Sequence, residues 1–174
     1  ADLLKAQGKL DEAEPLMREE LEAQRETLGA RHPHTLTSMS NLANLLQAQG
    51  KLDEAEPLYR EALEARRETL GAKHPNTLNS MANLALLLKE QGKLDEAEPL
   101  MKEELEACRE TLGARHPDTL LSMINLAALL KDQGKLDEAE PLMREDLEAC
   151  RETLGVRHPD TLASVGNLAR LLDA

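Results

Sequence analysis

The chain has 174 residues, a formal net charge of −12 and a single aromatic residue, Tyr59. An acidic chain without clustered Lys and Arg excludes phosphate-directed nucleic-acid binding, and one lacking aromatic platforms excludes stacking on single strands. No apolar run approaches the roughly 20 residues of a membrane span, and two cysteines are too few for a disulfide framework. No membrane association and a reduced, cytoplasmic setting are therefore expected.

Repetition organises everything else. GKLDEAEPL begins at Gly8, Gly50, Gly92 and Gly134, and ETLG ends at Gly29, Gly71, Gly113 and Gly155, always 42 residues apart. His-Pro pairs recur at His32-Pro33, His74-Pro75, His116-Pro117 and His158-Pro159. Between residues 51–92 and 93–134 only ten of 42 positions differ, and no linker interrupts the series. One continuous array over 1–174 is expected.

In chain order, residues 1–7 align with 85–91 and read as the second half of a helix A. Successive B-then-A units follow at 8–49, 50–91, 92–133 and 134–174. The ends, cut within or after a helix A, are expected to lack polar capping helices. Helix A opens at His74-Pro75, where proline suits the first helical position. Leu78, Met81, Leu84, Ala85 and Leu88 then recur at spacings of three and four, the stripe of an amphipathic helix. Gly92 is expected as a left-handed cap. Helix B is expected to open at Asp95 with Glu98 completing a capping box. Its apolar face is Leu94, Ala97, Leu100, Met101 and Leu105, and Gly113 ends it. Pro99 is expected within about the first turn, where it costs little. Short connections make A and B antiparallel neighbours.

The run Asn83-Leu84-Ala85…Leu88…Gly92-Lys93-Leu94-Asp95-Glu96-Ala97-Glu98-Pro99-Leu100 resembles the tetratricopeptide repeat (TPR) signature. The 42-residue length and the TLG-x-[KR]-HP-x-T stretch resemble the kinesin light chain type of that repeat. The resemblance covers essentially the whole chain. It implies an all-α, right-handed superhelical solenoid of antiparallel helix pairs, with helix A lining a concave groove.

Comparing the repeats with one another locates a candidate binding face. Asn41, Asn83, Asn125 and Asn167 never change, nor do Leu42, Leu84, Leu126 and Leu168. Other helix-A positions vary. Thr37 becomes Asn79, Leu121 and Ala163; Ser40 becomes Ala82, Ile124 and Gly166; Asn44 becomes Leu86, Ala128 and Arg170; Gln47 becomes Lys89, Lys131 and Asp173. Spacings of three and four put these four positions on one face. Drift of solvent-facing positions and selection for a ligand both account for the variation. Leu86, Leu121 and Ile124, apolar on a nominally exposed surface, favour the ligand. The repeated Asn either hydrogen-bonds a peptide backbone, as the equivalent Asn does in peptide-binding members of the resembled family, or links helix A to its neighbours.

Catalytic chemistry finds no support. The histidines are expected to shape the turns between repeats, and no Cys or carboxylate completes a zinc set around His32 and His34. Cys108 and Cys150 stand where other repeats carry Gln24 and Arg66, so partial exposure is expected, and no base is paired with them. No cofactor, metal or enzymatic activity is expected. Two readings stand: a scaffold binding a protein or peptide segment in the groove, and a structural or self-assembling array, natural or consensus-like and designed, with no dedicated ligand, for which uncapped terminal helices offer a route to end-to-end homo-association.

Overall fold

The computed structural model describes residues 2–173, with side chains from residue 9 onward. Every element among them is a helix: α1 (Asp2–Thr27), α2 (Pro33–Ala48), α3 (Leu52–Leu70), α4 (Pro75–Glu90), α5 (Leu94–Leu112), α6 (Pro117–Asp132), α7 (Leu136–Leu154) and α8 (Pro159–Leu172). The odd helices are the B type and the even ones the A type. They fall into two compact units, Ala1–Gln91 and Gly92–Ala174. Within each unit every helix packs on the next in sequence.

The helix-A starts follow the His-Pro motif. Pro33, Pro75, Pro117 and Pro159 are the first helical residues, each preceded by an extended His. That His accepts the N–H of the residue two further on at its Nδ1, for example Asn76 N–H to His74 at 3.1 Å. An otherwise orphaned helix-start donor is thereby satisfied. The threonine of the same motif closes the loop. Thr35, Thr119 and Thr161 donate to the carbonyls of Gly29, Gly113 and Gly155 at 2.8–2.9 Å. Those glycines, with Gly71, leave helix B at φ of about 90°. At Gly71 ψ is 161°, a region open essentially to glycine alone. An added Cβ there would meet nothing within 4 Å, so any penalty is purely conformational. Gly71→Ala is expected to lower stability by about 1–3 kcal/mol, read as a shift in the urea midpoint. An unchanged midpoint would show that the loop relaxes freely.

Three local expectations are corrected. Helix B does not open on a capping box: Lys51, Lys93 and Lys135 precede it without a side-chain cap. Asp95 instead accepts from Gln133, while Glu98 pairs with Lys102 and Lys135 at 2.6 Å. The Asp95 and Glu98 carboxylates are drawn off by neighbours in the fold, and the acids of the first turn, Asp95 and Glu96, favour the helix start through its dipole. Pro99 is the sixth residue of α5, so one ladder hydrogen bond is lost within the helix. At the start of the chain, α1 runs unbroken from Asp2 through Gly8, where a helix A was expected to end. At Gly50 and Gly134 a full 16-residue helix, α2 or α6, packs back across the equivalent turn onto α3 or α7. Seven residues make about two turns of helix and offer little face to hold such a turn.

The interior is built from the repeated Leu, Met and Ala positions. Met39, Leu46, Ala55 and Tyr59 in the first unit, and Met123, Leu129, Leu130 and Ala139 in the second, are buried. Outside this core, ion pairs join consecutive B helices. In the first unit Arg18 meets Glu54, Arg25 meets Glu61, Arg31 meets Glu68, and Lys51 reaches back to Glu14, all at 2.5–2.6 Å. The second unit repeats the set: Lys102 to Glu138 (3.3 Å), Arg109 to Glu145 (2.6 Å), Arg115 to Glu152, and Lys135 back to Glu98 (2.6 Å). Hydrogen bonds from two cations hold the Glu14 and Glu98 carboxyls down to about 2.

Candidate functional site

The candidate binding residues lie on the A helices, and each unit carries its own pair. In the first unit α2 presents Asn41 and Asn44 outward, and α4 presents Asn79 and Leu86, with Asn83 and Lys89 half-buried. Ser40 is not at the surface. Its hydroxyl donates to Leu36 O and accepts from Arg66, which comes from α3. Asn44 is held by Tyr59, whose hydroxyl donates to Asn44 Oδ1 at 2.5 Å and stands 3.1 Å from Gln47 Oε1. Burial, with the negative Glu90 behind it, pushes the Tyr59 phenol up to about 12. Gln47 donates onward to Glu90 at 2.8 Å, so α2 and α4 are stitched together along this surface.

In the second unit α6 presents Leu121, 57% exposed, with Ile124, Asn125 and Lys131 half-buried. Lys131 donates to the backbone carbonyl of Arg170 on α8 at 2.8 Å. Arg170 turns back on its own helix, donating to Asn167 Oδ1 at 2.7 Å and to Gly166 O at 3.2 Å.

The four repeated Asn do not tie helices together. Asn83 donates within α4 to Asn79 and Asn167 accepts within α8 from Arg170, while no hydrogen bond engages the Asn41 or Asn125 side chain among the described residues.

A polar column on helix B went unread in the sequence. One position holds Glu20, Ala62, Glu104 and Asp146; four residues on stand Gln24, Arg66, Cys108 and Cys150. The acid is lost, at Ala62, only in the repeat that carries Arg66, and that exchange is the signal that could have exposed them. Both cysteines are buried, contrary to expectation. The inference failed because Arg66 is buried too: its guanidinium folds onto Ser40 (2.9 Å), Ser80 (2.5 Å) and the Leu36 carbonyl (3.1 Å). Burial lowers the affinity of that guanidinium for its proton. In the second unit Glu104 accepts from Ser122 at 2.6 Å and from the Cys108 thiol at 3.3 Å. Burial, then the Glu104 carboxylate, pushes the Cys108 thiol up to about 11, the opposite of nucleophile activation. Asp146 is fully buried, and its Oδ2 has no hydrogen-bond partner. Among the described residues no three His, Cys, Asp or Glu side chains gather into a metal-holding group, and no helix is long and apolar enough to cross a membrane.

Antiparallel helix pairs joined by a glycine turn and a His-Pro start, repeated every 42 residues, define a helical-repeat protein of the TPR-like class. The sequence profile of the Tetratricopeptide repeat family matches residues 1–68, 36–109, 82–145 and 123–174, and the chain belongs to that family. Among solved structures it is similar to the nearly identical TPR-like repeats of a Podosopora anserina protein described as a kinesin light chain. The two are 31% identical at a TM-score of 0.89, over 98% of this chain and 82% of that one. A variant of the same protein gives 0.90. It is also similar to BtubC (BKLC) of P. vanneervenii, 25% identical with a TM-score of 0.84, over 99% of this chain and 68% of that one. No curated protein matches in sequence. The chain is thus a kinesin light chain-like TPR protein, a fold that serves generally as a non-enzymatic scaffold for protein interaction.

Proposed function

We propose that this protein is a cytoplasmic scaffold whose helix-A surfaces hold an extended peptide or protein segment. The observation that carries the reading is Leu121. It is a large apolar side chain, 57% exposed on α6, at a position where α2 and α4 carry the polar Thr37 and Asn79. An exposed leucine is unremarkable alone, but here it sits beside Ile124 and the partnerless Asn125 amide, and such mixed patches suit a peptide side chain and backbone together. The mixed charge of this surface, with Lys89 and Lys131 near Glu90 and Asp132, argues against a strongly acidic or basic ligand.

The test is selection from a displayed random-peptide library, followed by titration of the winners against wild type, Asn83→Ala, Asn125→Ala and Leu121→Asp. Each lost amide contact is expected to weaken binding roughly fivefold, about 1 kcal/mol. A library that yields no binder overturns the reading, and winners indifferent to all three substitutions overturn the surface.

A further inference from the structure

Tyr59 brings a polar group to a place where the other repeats have none. Its ring is buried on α3, at the position that Met17, Met101 and Met143 hold in the other repeats. Packing alone is therefore met by methionine. What tyrosine adds is the hydroxyl at the end of the ring, which reaches Asn44 and Gln47 on α2, 15 and 12 residues earlier. The exchange is concerted. The same two intervals before Met101 lead to Leu86 and Lys89, and before Met143 to Ala128 and Lys131. Both partners are amides only where the tyrosine stands.

The phenol has one proton and two amide oxygens within reach. At 2.5 Å the Asn44 contact lies in the range of O–H···O bonds and is too short for N–H···O, so the amide turns its oxygen to Tyr59. Gln47 Oε1, at 3.1 Å, takes the weaker share, and Gln47 is fixed from its other end by the 2.8 Å bond to Glu90. With Oδ1 held, the exposed Asn44 amide has only its NH2 group to offer, and nothing accepts from that group among the described residues. It is a donor whose direction is set, whereas Asn41, one turn earlier on α2, has no such hold and can present either end. The counterpart of a fixed donor is an acceptor. The negative Glu90 at the far end of the relay disfavours a carboxylate there, which leaves a neutral carbonyl oxygen. An extended peptide supplies one at every residue. We propose that Tyr59 is a positioning residue that turns the Asn44 amide outward as a fixed donor to a main-chain carbonyl of the bound segment. This rests on the scaffold reading above and gives its first-unit surface a defined chemistry. Every member lies on α2, α3 or α4, inside that unit.

Peptides selected from the displayed library are titrated against wild type, Tyr59→Phe, Asn44→Ala, the double variant of these two, and Asn44→Asp. Tyr59→Phe keeps the buried ring and deletes the hydroxyl. It is expected to weaken binding roughly fivefold, as is Asn44→Ala. Because the hydroxyl acts through Asn44, the double variant is expected to bind no worse than Asn44→Ala alone. Asn44→Asp accepts but cannot donate, and is expected to lose more than either. The side-chain amide resonances of Asn44 are expected to move on peptide addition in wild type and much less in Tyr59→Phe, a signature that a purely structural tyrosine would not alter. A library that yields no binder overturns the scaffold reading itself. Binders that respond to Leu121→Asp or Asn125→Ala yet ignore Tyr59→Phe and Asn44→Asp overturn the role of Tyr59 and leave that reading standing. A Tyr59→Phe loss that persists undiminished in the Asn44→Ala background does the same, since it marks packing and not positioning. An Asn44 dependence that disappears when one Asn or Gln of the peptide is changed to Ala assigns the acceptor to a side chain and overturns the main-chain contact. If helical circular dichroism shows Tyr59→Phe to be misfolded, Tyr59→Met, the residue of the equivalent positions, is titrated in its place with the same expected loss.

Discussion

Leu46→Ala is expected to lower the stability of the first unit by about 2–5 kcal/mol, while the same truncation at Leu172 is expected to cost less than about 1 kcal/mol. The two leucines occupy one repeat position, 126 residues apart, so chemistry and helix context are shared. Burial differs. Leu46 is fully buried on α2, which packs between α1 and α3, and its loss opens a cavity that rigid neighbours cannot fill. Leu172 is 58% exposed and surrenders little apolar contact. Urea unfolding followed by helical circular dichroism reads both. Equal costs at the two positions would mean that the repeats unfold without regard to their neighbours.

Asp146→Ala is expected to stabilise the second unit at pH 8 by about 1–3 kcal/mol. The carboxylate is fully buried and Oδ2 has no partner; Ser164 and the Cys150 thiol, the latter 3.9 Å away, support the charge without offsetting its burial. Burial therefore raises its proton affinity above the ordinary aspartate value. The sign follows from linkage. The folded state holds the proton more tightly than the unfolded chain, so this group's contribution is favourable in acid and is lost as pH rises through the raised folded value. The gain from alanine is accordingly largest at pH 8 and shrinks toward pH 4. Alanine already occupies this position in the second repeat, at Ala62, so the fold accepts it. Urea midpoints of wild type and variant at pH 4.5, 6 and 8 give the answer. A variant less stable than wild type at pH 8, or one with an identical pH slope, would refute the account. Glu104 is the internal contrast: Ser122 and Cys108 both donate to it, so the same truncation there is expected to gain less.

The repeat period and the A helices were legible because their signals are local. Proline fixes a helix start wherever it stands, and the loop glycines announce their backbone geometry. The helix-B starts were misjudged for the opposite reason. Asp95 and Glu98 have the spacing of a capping box, but their partners, Gln133 and Lys135, lie nearly 40 residues away, and local spacing cannot report them. The same distance hid the buried polar column. Arg66 looks like a surface residue in one dimension and becomes an interior one only when α2 and α4 both present serines to it. At the candidate binding surface, the variable positions were legible, but Ser40 proved to face Arg66 instead of solvent, because a face inferred from helical spacing cannot tell groove from interface.

The ion-pair ladder between B helices also bears on how such a chain can change in length. Each rung joins a cation to an acid 36 or 37 residues away, within a pattern that recurs every 42. Excising residues 51–92 would bring Glu96 opposite Arg18, Glu103 opposite Arg25 and Lys93 opposite Glu14, the charges that Glu54, Glu61 and Lys51 supply now. Unequal recombination between copies of the repeat in the gene could therefore add or remove one whole unit without leaving a mismatched rung in this ladder.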